Sequence, residues 1–261
     1  MSPFAALHGL RVGCVQYLNA RPLIVPYDGD VIYEHPSRLS DMLAAGEIDV
    51  ALIPVFEALR QPEFPIADGV AIASRGAVYS VYLAHAGPVE DLCAVTLDPA
   101  SRTSNNLLRC MLAEFYGIEP VFQSCGEPMP DAHRGVLLIG DQAIRFRQKH
   151  GDAVRYLDFG EEWLNRTGLP FVFAAWQMRP ECPDLPAVAD ALRAMKAAGV
   201  ARVREIARLQ RGFDAEFAER YLTRHIRFDL GDREKAGLAK FRELLQKHAL
   251  IPPSDVAVRF I

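Results

Sequence analysis

Short polar segments that follow apolar runs hold the residues best suited to bind a small anion. The densest is Ser101-Arg102-Thr103-Ser104, where three hydroxyls and a guanidinium precede a helical pattern. The start of a helix exposes unpaired backbone N–H groups and a partial positive charge, so Ser101, Thr103 and Ser104 would suit a carboxylate. Helix capping is the alternative explanation, although one such hydroxyl would satisfy it.

A second polar segment, Tyr17 to Leu23, directly follows the first apolar run of the chain. Asn19 in this segment offers hydrogen-bond donors and an acceptor, and Arg21 would face an anion. Ligands of open α/β sheets bind beyond the carboxyl ends of strands, where this segment is predicted to lie. A turn ended by Pro22, in which Asn19 bonds its own backbone, explains the same residues without a ligand.

Two more segments near predicted strands carry single groups of interest. Asp141, which follows Gly140, would hydrogen-bond a substrate hydroxyl or take part in proton transfer, whereas an aspartate that only caps a helix would occupy the same position. Gly76 would let a ligand approach the backbone closely, and Ser80 opens or lines the next apolar run. An ordinary loop also explains Gly76 and Ser80.

The sequence lacks the signatures of several common chemistries. The seven histidines have no metal-ligand spacing, and there is no nucleophile elbow, phosphate-binding loop or dinucleotide fingerprint. The five cysteines are odd in number and lack C-x-x-C spacing, so they predict neither a disulfide framework nor a structural zinc site. Hydrolase, kinase and dehydrogenase functions therefore lose their usual support.

Composition and charge restrict the location and the partners of the protein. The net charge of −4 argues against a nucleic-acid partner. No stretch approaches the roughly 20 apolar residues of a membrane-spanning helix, and the N-terminus lacks the basic start and apolar run of a secretion signal. With the cysteine usage, these features predict a cytoplasmic protein that binds a small molecule and neither nucleic acid nor a membrane.

The elements that must position these groups alternate along the first two thirds of the chain. Strands are predicted over residues 10–15, 48–53, 78–84, 95–97, 136–139 and 171–175. Helices are predicted to begin near residues 36, 104 and 140, and three more should span 187–209, 214–225 and 233–248. The alternation of strand and helix predicts parallel sheets covered by helices.

This order of elements predicts two α/β lobes. The first lobe should contain residues 1–84 and 177–261, and the second should contain residues 88–170. The chain should cross between the lobes near residues 78–88 and return near residues 170–177. Trp163 and Trp176 are expected to lie in the core.

Five motifs, in their order along the chain, resemble the menaquinone biosynthesis proteins of the futalosine pathway. They are Tyr17 to Leu23, Gly46 to Pro54, Ser101 to Ser104, Leu138 to Asp141, and Thr167 to Trp176. The resemblance covers the chain from Leu10 to about Phe241. It implies a periplasmic-binding-protein-like fold of type II, with two α/β lobes and a ligand cleft between them.

Two enzymes of that pathway share the fold, chorismate dehydratase and 1,4-dihydroxy-6-naphthoate synthase. The first motif of the synthase is typically a Cys-Pro-Asn-Asp-Thr type sequence, whereas this chain has Tyr-Leu-Asn-Ala-Arg-Pro-Leu from Tyr17. The Ser-Arg-Thr-Ser motif also favours the dehydratase. The resemblance therefore implies a hydro-lyase that converts chorismate to 3-[(1-carboxyvinyl)oxy]benzoate and water, with no metal or cofactor because aromatisation drives the reaction.

The resemblance also implies roles for the polar segments. Asn19 and Ser80 would orient the enolpyruvyl side chain or the departing hydroxyl, and Asp141 would be the protein carboxylate near the reaction. The substrate-binding residues would be Tyr17, Arg21, Gly76, Ser101, Thr103, Ser104 and Gly140. The alternatives are the sister synthase and a non-catalytic solute-binding protein for a small carboxylate. Of the nearby arginines, Arg102 is the one least expected to face the ligand.

Overall fold

Two five-stranded sheets form the framework of the protein. The computed structural model describes residues 3–124, 126 and 129–261. The first sheet contains β1 (Val12–Cys14), β2 (Val31–Tyr33), β3 (Val50–Pro54), β4 (Ile66–Ser74) and β10 (Phe171–Met178), in the order β2-β1-β3-β10-β4. The second contains β5 (Val81–His85), β6 (Ala94–Thr96), β7 (Val121–Gln123), β8 (Arg134–Ile139) and β9 (Arg155–Asp158), in the order β7-β6-β8-β5-β9.

Helices cover both sheets. They are α1 (Pro36–Ala44), α2 (Val55–Arg60), α3 (Arg102–Met111), α4 (Gly140–His150), α5 (Phe159–Thr167), α6 (Leu185–Ala201), α7 (Val203–Leu209), α8 (Ala215–Arg220) and α9 (Asp232–Lys247). A short 3₁₀ segment, Leu18–Leu23, follows β1, and π-helical turns continue α3 over Leu112–Tyr116 and α8 over Tyr221–His225. The predicted arrangement of two α/β lobes is therefore confirmed.

The prediction of parallel sheets is wrong for one strand of each sheet. Strand β10 runs antiparallel to β3 and β4, and β5 runs antiparallel to β8 and β9. The other pairs, β1 with β2 and β3, and β6 with β7 and β8, are parallel. A strand–helix–strand connection within one sheet makes its two strands parallel. Because β5 and β10 each follow an element of the other lobe, no such connection sets their direction, and both can run antiparallel to their neighbours.

The first crossing comes earlier in the chain than predicted. Strand β5 starts at Val81, inside the range predicted for the first lobe, yet it pairs with β8 and β9 of the second sheet. The first sheet's last strand before this point ends at Ser74, so the crossing lies between Ser74 and Val81. An apolar run identifies a buried strand but does not show which of two sheets receives it.

Several elements differ from the sequence prediction. The helix expected over 187–209 is two helices, α6 and α7, which meet at Arg202. Strands β2 and β7 were not predicted, because these three-residue strands are half-exposed or exposed and lack a buried apolar run. Strand β4, strand β9 and helix α5 were also missed.

Large aromatic side chains join the two lobes in a common core. Trp163 of α5 and Trp176 of β10 are fully buried, as predicted. The Trp163 ring packs edge-on against Phe171 of β10 and Phe241 of α9, so the return strand and the last long helix meet the second lobe here. The described cysteines, Cys14, Cys93, Cys110 and Cys182, have free thiols, and Cys125 lies outside the described residues.

Asp49, in the motif from Gly46 to Pro54, connects the start of β3 to the start of β1. Its carboxylate accepts hydrogen bonds from the Arg11 backbone N–H at 2.8 Å and from Nε and Nη2 of the Arg11 guanidinium at 2.9 and 2.6 Å. The Arg11 hydrogen bonds hold the pKa of the Asp49 carboxyl below its usual value. The motif therefore includes a residue that orders the first sheet.

We predict that Asp49→Asn lowers the free energy of unfolding by about 1–2 kcal/mol at pH 7, because a charge-assisted, partly exposed pair is lost. A lowered folded-state pKa gives stability that is present above the ordinary carboxyl pKa and is lost as pH falls through the folded-state pKa. The difference between the variant and the wild type should therefore shrink below about pH 4. Urea unfolding across pH measures it, with exposed Asp255→Asn as the control; an unchanged difference at low pH would contradict the assignment.

Candidate active site

A small cavity lies between the lobes, beyond the ends of strands from both sheets. Leu52, Ile53, Ile72 and Phe173 of the first sheet form an apolar wall. The opposite wall contains Val81, Ile139 and Gly140, together with Ser101, Thr103 and Ser104 at the start of α3. Tyr17 and Asn19, from the segment after β1, complete the lining with Val15, Pro36, Pro54 and Ala174. The structure thus brings together six of the predicted site residues.

The hydroxyls of Ser101 and Thr103, at the start of α3, have different partners. Ser101 is the N-cap of α3, and its side chain accepts a hydrogen bond from the Ser104 backbone N–H at 3.2 Å. The Thr103 hydroxyl accepts a hydrogen bond from the Phe56 backbone N–H at 3.1 Å, at the start of α2 in the first lobe. Capping therefore explains Ser101, while Thr103 joins the lobes at the edge of the cavity.

Arg102, the arginine least expected to face the ligand, does not line the cavity. Its guanidinium donates to Oε1 of Glu57 at 2.9 Å and to Oδ1 of Asp41 at 2.7 Å. Both carboxylates belong to helices that cover the first sheet, so Arg102 forms a second connection between the lobes.

Asn19 and Ser80 occupy different depths of the site. Asn19 lines the cavity and is 9% exposed, and its Oδ1 has no hydrogen-bond partner among the described residues. Ser80 is fully buried behind the lining, where its Oγ lies 2.7 Å from the Tyr221 hydroxyl. Burial raises the pKa of Tyr221, so this tyrosine stays a neutral hydroxyl.

Asp141 supports the cavity from outside. Its Oδ1 accepts a hydrogen bond at 2.9 Å from the Leu18 backbone N–H, directly before Asn19. Its side chain lines an outer groove that continues from the cavity, and Arg21 lies in the same groove. Burial raises the pKa of the Asp141 carboxyl, although the Leu18 N–H, Arg145 and Arg21 act in the opposite direction.

Tyr17 separates the cavity from the outer groove and lines both. Gly140 has φ of +61°, and a Cβ built there would lie 3.1 Å from the Tyr17 ring, so glycine allows this ring to rest on the start of α4. Burial, with Asp98 and Asp141 nearby, raises the pKa of Tyr17 to about 12. Gly76 lies in the first crossing, close to Leu164 of α5, and does not line the cavity.

Sequence reasoning missed three residues near the site. Asp98 is buried beside the outer groove, where it accepts hydrogen bonds from the Gln142 side chain and the Ala100 N–H. It follows β6 by two residues, so the rule that ligands lie beyond strand ends would have identified it. Phe173 reads as an ordinary core residue of β10. Tyr221 is distant in sequence and lies on an apolar helix face, so no local signal marks it.

The described residues form neither a metal-binding cluster nor a membrane-spanning helix. Within the described part of the chain, no three His, Cys, Asp or Glu side chains come together in a way that could hold a metal ion. None of the described helices combines the length and apolar character needed to cross a membrane.

Comparison with known proteins gives a family match and curated relatives. The family model described as menaquinone biosynthesis matches residues 10–247. A Thermus thermophilus protein named chorismate dehydratase is 32% identical over 257 residues, which cover 90% of this chain and 94% of the relative. A Campylobacter jejuni protein of the same name is 30% identical over 160 residues, covering 60% of this chain and 58% of the relative.

Solved structures share the fold at low sequence identity. An Archaeoglobus fulgidus protein superposes with a TM-score of 0.70 at 18% identity, covering 94% of this chain and 100% of that one. A Candida albicans protein described as having the generic periplasmic binding protein fold superposes with a TM-score of 0.61 at 12% identity. The match covers 94% of this chain and 92% of that one. The aliphatic sulphonate binding protein of Escherichia coli superposes with a TM-score of 0.53 at 16% identity, and the match covers 94% of each chain. The predicted periplasmic-binding-protein-like fold is confirmed.

We predict opposite effects for two substitutions of Asp141. Asp141→Ala removes the acceptor of the Leu18 N–H and should lower the free energy of unfolding by about 1–3 kcal/mol. Asp141→Asn keeps an acceptor oxygen and removes a buried charge. A raised folded-state pKa means that the wild type loses stability as pH rises from the ordinary carboxyl pKa through the raised one.

Asp141→Asn should therefore match or exceed the wild type at pH 7 and lose its advantage at pH 4. Urea unfolding of the three proteins at both pH values measures these differences. Equal destabilisation by Asn and Ala at pH 7 would show that the Leu18 hydrogen bond is not what Asp141 contributes.

Proposed function

The chain belongs to the menaquinone biosynthesis family, and from this premise we propose that it is a chorismate dehydratase, acting in the cleft between its lobes. The relative with this name that matches 90% of the chain at 32% identity supports the proposal. The reaction would convert chorismate to 3-[(1-carboxyvinyl)oxy]benzoate and water. We further propose that it serves the futalosine route to menaquinone and takes place in the cytoplasm, as the sequence predicts.

The composition of the cavity wall carries this proposal. Among the described residues that line it, there is no carboxylate, imidazole, amine or guanidinium. The wall instead contains the amide residue Asn19, the hydroxyl residues Ser101, Thr103 and Ser104, and Tyr17, beside an apolar surface. Hydroxyls at a helix start suit a carboxylate, and the apolar wall suits a six-membered ring.

A dehydration that ends in an aromatic ring suits such a wall. The C4–O bond breaks and the hydroxyl group departs with the electron pair of that bond, while C3 loses a proton. Hydroxide and proton together account for the water released, and the ring becomes aromatic. Because the wall presents no base, we assign the proton transfer to the substrate's own side-chain carboxylate. The protein then contributes mainly by holding that carboxylate and the ring in position, and well-oriented intramolecular reactions gain roughly 7–11 kcal/mol in this way.

The individual roles follow from the contacts. Ser101, Thr103 and Ser104 would hold one carboxylate at the start of α3, and Asn19 would orient the departing hydroxyl or the enolpyruvyl side chain. Ser80 and Asp141 lie behind or outside the lining, so we assign them to positioning in place of the direct catalytic roles expected from the sequence. Gly76 has no assigned role at the substrate.

Substrate entry requires the lobes to move apart. The cavity measures about 60 Å³, whereas pockets that hold small ligands measure roughly 300–1,000 Å³. The contacts of Asp141 with Leu18, Thr103 with Phe56, and Arg102 with Glu57 and Asp41 connect the lobes around this cavity. Closure of the lobes around the bound substrate would exclude water from a molecule that rearranges and loses pyruvate spontaneously.

We predict that the purified protein converts chorismate, without added metal or cofactor, to a product lighter by one water. Asn19→Ala should reduce kcat/KM about 100-fold, because a group that positions the substrate is removed. Asn165→Ala, on the exposed side of α5, is the matched control and should behave like the wild type. Liquid chromatography with mass spectrometry follows substrate and product.

The other outcomes separate the alternatives. Unchanged chorismate that still raises the melting temperature would favour a solute-binding protein. Neither turnover nor binding would point to the sister synthase, and full activity of Asn19→Ala would remove Asn19 from the site.

A further inference from the structure

Arg102, at the start of α3 in the second lobe, is held by two carboxylates of the first lobe. Its Nη1 donates to Oε1 of Glu57 at 2.9 Å, and its Nη2 donates to Oδ1 of Asp41 at 2.7 Å. The neighbouring Thr103 accepts the Phe56 N–H at 3.1 Å, so a charged and a neutral contact lie side by side between α3 and α2. Separation of the lobes at this edge of the cavity has to break both.

Glu57 differs from Asp41 because it is buried and has two arginine partners. Its Oε1 accepts from Arg102, whereas its Oε2 accepts from Nε and Nη2 of Arg60 at 3.2 and 2.7 Å. Arg60 lies three residues further along the same helix, α2, so it stays beside Glu57 when the lobes separate. A buried carboxylate that loses every partner is strongly destabilising, and Arg60 prevents that loss.

We propose that Arg102 and Glu57 form a reversible latch that sets how often the lobes open, with Arg60 as the partner that keeps Glu57 paired while they are apart. Opening then costs one charge-assisted contact, and the carboxylate is never left without a cation. The latch concerns the protein without ligand, and only its effect on chorismate rests on the proposed function.

The latch acts on the part of the fold that carries the proposed carboxylate site. Arg102 lies between Ser101 and Thr103 in the chain, and both of these residues line the cavity, whereas Arg102 does not. Arg102 is therefore a positioning residue, which sets the start of α3 against the first lobe. A ligand that is held by the closed lobes binds more weakly in proportion as the closed form is less populated.

Two backbone amides report opening at separate places. The Phe56 N–H is bonded to Thr103 beside the latch, and the Leu18 N–H is bonded to the Asp141 carboxylate, at a different contact between the lobes. The Ala71 N–H is bonded within the first lobe and reports general unfolding. Hydrogen exchange of these amides, followed by NMR without substrate, therefore separates opening of the cleft from a local change and from loss of stability.

The two arginines of Glu57 should have opposite effects on opening. Arg102→Gln removes the latch and should accelerate exchange of the Leu18 N–H about 5–10-fold. Arg60→Gln leaves the latch in place but removes the partner of Glu57 in the open form, so it should slow Leu18 exchange about 2–5-fold. A merely structural role would accelerate exchange in both variants.

Arg38→Gln is the matched control. Arg38 pairs with Glu47 at 3.1 Å inside the first lobe, so its loss should leave Leu18 exchange within about twofold of the wild type. Exchange of the Ala71 N–H should stay within about twofold in all the variants.

Asp41→Asn tests the latch with a milder change. Asp41 is exposed, so the protein should fold normally and Leu18 exchange should rise by less than about threefold. Raising the salt concentration from about 0.05 to about 0.5 M should accelerate Leu18 exchange in the wild type, and less so in Arg102→Gln, because the screened ion pair is already absent there.

Turnover gives a second readout. If the protein dehydrates chorismate, Arg102→Gln should raise KM about 5–10-fold and change kcat by less than about threefold, because closing is affected and the lining is unchanged. The exchange measurements decide the latch even if chorismate is not turned over and the proposed function fails. Unchanged Leu18 exchange in Arg102→Gln, faster Leu18 exchange in Arg60→Gln, acceleration confined to Phe56, or an equal rise at Ala71 would each overturn the inference.

Discussion

Unpaired backbone N–H groups at helix starts are the constraint on which the closed cleft depends. A helix leaves its first N–H groups without intrahelical partners, and burial makes such groups costly. Here the opposite lobe supplies the partners: Asp141 accepts from Leu18 at the start of the 3₁₀ segment, and Thr103 accepts from Phe56 at the start of α2. The second lobe therefore satisfies polar groups that the first leaves open, and the contact of Asp141 with Leu18 fixes the segment that carries Asn19.

The first crossing between the lobes is held by the same kind of contact. Asp158, the N-cap of α5, accepts from Gly160 and Glu161 of its own helix and also from the Val78 and Tyr79 N–H groups, at 2.9 and 2.7 Å. Tyr79 has φ of +68°, a conformation that disfavours a bulky residue. The two hydrogen bonds offset that cost and fix the backbone one residue before Ser80. Burial raises the pKa of the Asp158 carboxyl, although the hydrogen bonds from these N–H groups lower it.

The sequence predicted the elements that obey local rules and missed the contacts that depend on the whole fold. Periodicity located β3, β8 and α9, because one buried face per element is enough to identify them. The antiparallel entry of β5 and β10 has no local signature, since an apolar run is the same in either direction. The motifs predicted that Asn19 and Ser101 belong to one site, and both residues line the cavity. The motifs did not show that the Asp141 carboxylate would accept a hydrogen bond from a backbone N–H.

The placement of charge around the cavity explains why positioning must dominate the proposed reaction. The charged groups nearest the site lie just outside its lining: Asp141 and Arg21 in the outer groove, and Arg102 in a salt bridge with Glu57 and Asp41. A carboxylate or guanidinium inside so small a space would have to be paired, and the pair would occupy the volume that the substrate needs. A dianionic substrate brings its own carboxylates, and in surroundings of low polarity their hydrogen bonds to neutral hydroxyls and helix N–H groups are stronger than in water. A lining of neutral donors and acceptors therefore leaves the substrate's carboxylate as the strongest base in the cavity.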